Sequence, residues 1–278
     1  MSLTRRQTAA ALLALPLALI ATPAVAQQAG SGGSKPRLRT LHIAGDSTAA
    51  QKYADAAPET GWGMALPFFL GRHLAVANHA VNGRSSKSFI DEGRLTALLH
   101  RVAPGDLVLV QFGHNDEKTE DPARGTDPWT TYQQYLRQYL DGARRRRAQP
   151  VLITPVERRR FAADGTAKPT HGEYPAAMRA LAAEEGVPLI DMQALSLARW
   201  QGLGPDGTEA LFNWLEPGES PNYPDGRQDN THFSPAGAVE VARMTTRALR
   251  DRGVLVPGDV RSLGAPVSGH RIVWPQPA

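Results

Sequence analysis

The stretch "DLVLVQFGHND", residues 106–116, sets an unbroken apolar run, Leu107 to Val110, ahead of a glycine and three polar residues. A strand with one wet face alternates apolar and polar residues. A near-continuous apolar run of this length belongs instead to a strand covered on both faces. Strands of that kind sit in parallel sheets, whose crossover connections lay helices against both sides. His114, Asn115 and Asp116 follow at the carboxyl end of the run.

Neighbouring segments repeat the theme. The patterning predicts further strands in "RLRTLHIA" (37–44), "HLAVANHAV" (73–81), "PVLITPV" (150–156) and "VPLIDM" (187–192). Between them it predicts helices. Residues 129–147 carry Tyr132, Tyr135, Leu136 and Tyr139 at helical spacing, and residues 173–185 carry Met178, Leu181 and Ala182 likewise. The run Arg144 to Arg147 fits cations at the negative end of a helix dipole. A last helix opens at Ser234-Pro235, a capping residue with proline at the first helical position, and stops at Gly253. Strand–helix alternation of this kind gives an α/β fold with a parallel five-stranded sheet between helical layers. Residues 201–230, rich in Gly and Pro, read as a long loop, and the tail after Pro257 reads as irregular.

In open parallel sheets, ligands bind outside the carboxyl ends of the strands. Three strand ends carry chemistry. The first is Gly45-Asp46-Ser47, the second Asn82-Gly83, the third Gly113-His114-Asn115-Asp116. Singly, each has a plain structural reading: Ser47 fits a helix cap, Asn82-Gly83 is a turn, and Asn115 can bond its own backbone. Together they set a hydroxyl, an approachable backbone N–H and an amide donor on one rim.

A serine hydroxyl is a poor nucleophile without a base. "QDNTHFSPAG" (228–237) supplies Asp229 and His232, three residues apart and just before the last helix. At that spacing a carboxylate reaches the imidazole Nδ1–H, fixes the tautomer and stabilises the imidazolium. Asp-x-x-His alone is a weak pattern; downstream of a serine at a first strand end it gains weight.

"GDST", Gly83, "GHND" and "DNTH", in that order, resemble the four blocks of the SGNH (GDSL) hydrolases. The wording "AGDSTAA", "GWG", "NGRSSKSF", "GDLVLVQFGHND" and "DNTHFSPAGA" further resembles the rhamnogalacturonan acetylesterase branch of carbohydrate esterases. The resemblance implies a three-layer α/β/α sandwich with a flavodoxin-like sheet, and removal of acetyl groups from pectic polysaccharide. Ser47 would be the nucleophile, His232 the general base and then acid, and Asp229 its orienting partner. The Ser47 N–H, the Gly83 N–H and the Asn115 amide would form the oxyanion hole, with Asp46 and His114 in support. No cofactor and no metal is implied.

Composition bounds the rest. A chain of 278 residues, 41% hydrophobic, supports one sizeable core rather than two. Arg5 and Arg6, an apolar stretch over residues 9–20 and Ala24-Val25-Ala26 read as a signal peptide over residues 1–26. Thr4-Arg5-Arg6 opens like a twin-arginine signal, but the residues after it do not complete that pattern. A flexible leader, 27–36, and a single catalytic domain, 37–278, would follow, in an exported protein, periplasmic or secreted. Removing Arg5 and Arg6 takes the basic count from 31 to 29 against 27 acidic residues, a surplus that does not argue for nucleic acid, and no nucleic-acid partner is expected. With 0 cysteines there is no disulfide and no thiol chemistry. A G-x-S-x-G elbow and a lysine-bearing Gly-rich loop are both missing, and His73, His79, His100 and His171 show no metal-ligand spacing with acids. Trp62 reads as a packing residue, and among Trp200, Phe212, Trp214 and Tyr223 one or two are candidates to face a sugar. The expected substrate is an acetylated polysaccharide, with no membrane or protein partner implied. The competing readings are an SGNH lipase, arylesterase or thioesterase, and a non-catalytic exported carbohydrate-binding protein.

Overall fold

The structure, a computed structural model, describes residues 38–277. The signal peptide and the whole leader expected from the sequence lie outside the described residues. Five parallel strands make the central sheet: β1 (Arg39–Gly45), β2 (Leu74–Asn78), β3 (Leu107–Gln111), β4 (Gln149–Ile153) and β5 (Leu189–Ile190). Their spatial order is β2-β1-β3-β4-β5. The chain steps outward from β1 to β2, then returns to the other side of β1 for β3. That reversal is the switch point at which sheets of this order open a crevice.

Helices cover both faces. On one lie α1 (Trp62–Ala65), α6 (Met192–Glu209) and α7 (Pro235–Asp251); on the other lie α2 (Ser86–Asp91), α3 (Arg94–Arg101), α4 (Gln133–Arg145) and α5 (Tyr174–Glu185). Strand alternation divides the core. Leu41, Ile43, Leu107 and Leu109 face Trp62, Trp200 and Val241, while Ala44, Val108 and Val110 face Phe89, Leu136 and Tyr139. All five residues of β3 are buried, as an apolar run between two helical layers requires. The expected three-layer α/β/α sandwich is therefore present. Among the described residues, no helix is long and apolar enough to cross a membrane.

Two segments depart from the expected loop over residues 201–230. The helix α6 runs on to Glu209, broken at Gly204 (φ 70°, ψ 177°). The break lets Pro205, which has no N–H to donate, open a second helical piece instead of interrupting one. Beyond it, β6 (Phe212–Leu215) pairs antiparallel with β7 (Arg227–Phe233). The tail after Pro257 is irregular, as expected, yet it is tied down: the Ala54 N–H donates to Pro275 O (2.9 Å) and Trp274 Nε1 to Glu59 O (2.9 Å).

Candidate active site

The turn after β1 is held by its aspartate. The Asp46 side chain accepts the Thr48 N–H (2.9 Å) and the Thr48 hydroxyl (2.7 Å), and its carbonyl accepts from Ala49 and Ala50. Burial pushes this carboxyl up, but the adjacent His114 ring and the Thr48 donors bring it down to about 2. His114 is itself pushed down by burial, to about 4, and is neutral at neutral pH. No helix begins at Ser47, so the capping role its local sequence allows is not realised. Its hydroxyl lies 2.8 Å from His232 Nε2 instead.

His232 and Asp229 owe their placement to an irregularity in β7. Phe212 pairs with Phe233 and Trp214 with Gln228, so two steps along β6 match five along β7. The surplus residues bulge, and bulges re-aim side chains. Within the bulge Asp229 Oδ1 accepts the N–H groups of Thr231 (2.7 Å) and His232 (2.9 Å), while Oδ2 lies 2.8 Å from His232 Nδ1. Burial would raise the Asp229 carboxyl; the His232 ring and these donors hold it well below the usual carboxylate range. An ionised Asp229 fixes the proton on Nδ1, which leaves Nε2 to accept the Ser47 hydroxyl proton.

The facing rim comes from the ends of β2 and β3. Gly83 has φ 75°, a conformation open to glycine at little cost, and an added Cβ there would meet nothing within 4 Å. Among the described residues, neither the Gly83 N–H nor the Ser47 N–H has a hydrogen-bond acceptor. Asn115 Nδ2 donates to Arg84 O (3.1 Å), which joins the β3 end to the Gly83 turn. An amide nitrogen carries two hydrogens, so one is left for another acceptor. The structure thus brings Ser47, His232 and Asp229 into one hydrogen-bonded string, and among the described residues it leaves the N–H groups of Ser47 and Gly83 without an acceptor.

Three residues here had no signature in the sequence. Lys52 is buried, with Nζ 2.6 Å from Glu59 Oε1 and 2.7 Å from Asn82 Oδ1. Arg227 Nη2 lies 3.4 Å from Glu59 Oε2 and 2.7 Å from Asp229 Oδ2. Glu59, Asp229 and His232 bring ligand-type atoms within 4.8 Å of one another. Lys52 and Arg227 already supply the cations facing those two carboxylates, so a metal would compete with both. Trp62 is fully buried and donates to Gln111 Oε1 (2.7 Å). Of the candidate sugar-facing aromatics, Trp200 and Phe212 are core residues, which removes them from that role. Trp214 lies beneath the Arg159 guanidinium and Tyr223 beneath that of Arg227.

The chain matches the GDSL-like Lipase/Acylhydrolase family over residues 43–239, a span that includes Ser47, Gly83, Asn115, Asp229 and His232. It is 45% identical over 214 residues to the rhamnogalacturonan acetylesterase RhgT of Bacillus subtilis, covering 77% of this chain and 90% of that protein. To the rhamnogalacturonan acetylesterase of Emericella nidulans it is 25% identical over 234 residues, covering 78% of this chain and 86% of the other. The crystal structure of the Bacillus subtilis protein YxiM superposes with a TM-score of 0.67 at 28% identity, over 80% of this chain and 58% of that one.

Proposed function

The chain belongs to the GDSL-like lipase/acylhydrolase family, and from that premise we propose that it deacetylates pectic rhamnogalacturonan through an acyl-enzyme on Ser47. It is a carboxylic ester hydrolase. The observation that carries the mechanism is the string Ser47 Oγ, His232 Nε2, His232 Nδ1, Asp229 Oδ2, with both contacts at 2.8 Å. Ser47 Oγ bonds to the acetyl carbonyl carbon as Nε2 takes its proton. The carbonyl oxygen becomes an oxyanion facing the N–H groups of Ser47 and Gly83 and the free hydrogen of Asn115 Nδ2. His232 then returns the proton to the sugar oxygen as the ester C–O bond breaks. Water, deprotonated by His232, attacks the carbonyl carbon of acetyl-Ser47; the C–Oγ bond breaks as His232 returns the proton to Ser47 Oγ, and acetate leaves. Asp229 stays ionised throughout and holds the imidazole in register.

The substrate reading is supported by the identity to RhgT along 90% of that protein's length. Export is proposed from the leader sequence, with cleavage after Ala26. Acetate release measured across acetylated rhamnogalacturonan, xylan and homogalacturonan tests the activity. Fastest release from rhamnogalacturonan is expected, with no release by Ser47→Ala, and with Gln27 as the first residue of the exported protein. Turnover by Ser47→Ala would overturn the mechanism, a preference for xylan the substrate, and an uncleaved exported chain the leader.

A further inference from the structure

Between β4 and α5 the chain makes an excursion, residues 154–173, that no part of the reaction above uses. It folds back on itself as a small hairpin. Phe161 bridges Ala167, the Lys168 N–H donates to Arg160 O (2.8 Å), and the Ala162 N–H donates to Thr166 O (2.8 Å). The hairpin is fastened to the strand that bears the base. The Arg159 N–H donates to Asn230 O (2.9 Å), and the Arg159 guanidinium donates to Asn230 Oδ1 (3.1 Å). Asn230 is the residue after Asp229, so the hairpin and the reacting groups share one length of backbone.

Hairpin and strand line an open cavity of about 580 Å³, a size typical of small-ligand sites. Its lining holds four cations, Arg158, Arg159, Arg160 and Lys168, with Thr170 and Asn230 beside them, and no carboxylate. Two of these charges are matched. Arg158 pairs with Glu117, and Arg159 pairs with Glu209 (3.1 Å) while lying over Trp214. The other two are not: among the described residues, Arg160 and Lys168 make no ion pair and no side-chain hydrogen bond, and both are exposed. Asp164, at the hairpin tip, is bound by the Thr166 N–H (2.9 Å) and feels Lys168 only at longer range. Like charges gathered on one wall repel each other, so an anion entering the cavity gains from both. A guanidinium also matches a planar carboxylate with two parallel N–H bonds.

We propose that this cavity is a uronate subsite, in which Arg160 and Lys168 bind the carboxylate of a galacturonate residue a short way along the chain from the acetylated sugar at Ser47. The proposal rests on the pectic reading of the substrate. An anchored carboxylate would set the register of the polysaccharide, so that a particular acetyl group meets the nucleophile. Arg160 and Lys168 act in binding alone; the acyl transfer proceeds without them.

The test compares wild type with Arg160→Gln/Lys168→Gln on three substrates. These are acetylated rhamnogalacturonan oligosaccharide, the same material with its uronate carboxyls reduced to alcohols and its acetyl content restored, and 4-nitrophenyl acetate. The double variant is expected to raise KM for the acidic oligosaccharide about 2- to 30-fold, the range for two solvent-exposed charge contacts, with kcat unchanged. Wild type on the reduced material should match the variant, and 4-nitrophenyl acetate should be turned over equally by both. An unchanged KM on the acidic oligosaccharide overturns the subsite, as does an equal loss on 4-nitrophenyl acetate. Failure of the wild type itself on rhamnogalacturonan overturns the pectic reading and the subsite with it.

Discussion

Asn115 shows how little of a residue's work need be visible before substrate arrives. One of its amide hydrogens goes to Arg84 O, which fixes the direction of the other. A donor aimed this way contributes most when negative charge develops on the bound carbonyl oxygen, and little before. Asn115→Ala is therefore expected to lower kcat by about 10²–10³ with KM nearly unchanged. Steady-state kinetics on 4-nitrophenyl acetate decide it, and a variant with full kcat would remove Asn115 from the oxyanion site. Ser47 and His232 lie 185 residues apart in sequence. They could be paired in advance because each stands at a recognisable boundary, one at a strand end and one before a capped helix. Lys52, Glu59 and Arg227 could not. A lysine or a glutamate in a loop is ordinary, and only folding shows that one is buried against the other.

At the scale of elements, the readable parts were those with a regular period. The strands and the helices α4 and α5 follow from apolar spacing, and α7 from its Ser234-Pro235 start and the stop at Gly253. The pair β6 and β7 did not, because the bulge that aims Asp229 and His232 also erases the alternation by which a strand is recognised. In α6, Gly204 and Pro205 hide a helix whose packing on the sheet overrides its weak propensity. Asp116 joins two elements, since at the end of β3 it accepts the N–H and hydroxyl of Ser86, the first residue of α2. Burial pushes its carboxyl up to about 7, against the pull of the Ser86 donors. A carboxyl raised in the folded state keeps a proton that the unfolded chain gives up. Its contribution is whole below about pH 4 and falls away as pH rises to about 7. Relative to Asp116→Asn, the wild type should lose stability across that interval, as read from urea midpoints. A constant difference between the two proteins would show that Asp116 does not titrate there.

For the molecule as a whole, a line of charges joins the two sides of the crevice. Asn82, beside Gly83, meets Lys52; Lys52 meets Glu59; Glu59 meets Arg227; and Arg227 meets Asp229. Burial lowers the Lys52 ammonium pKa, Glu59 opposes that shift, and the pair persists because each ion neutralises the other. Lys52→Met leaves Glu59 buried without its closest partner and should cost about 3–5 kcal/mol of stability, measured by urea unfolding. Adding Glu59→Gln should restore much of that stability but not the turnover, because Asn82 still lacks its anchor. Wild-type stability in Lys52→Met would contradict the buried pairing. The family match stops at residue 239, yet Trp274 and Pro275 reach back to grip Glu59 and Ala54. The portable unit of this catalyst is thus longer than the part that names its lineage. A fusion spliced at the end of the match would carry every reacting group and lack the strap behind Glu59, so a linker belongs beyond residue 275.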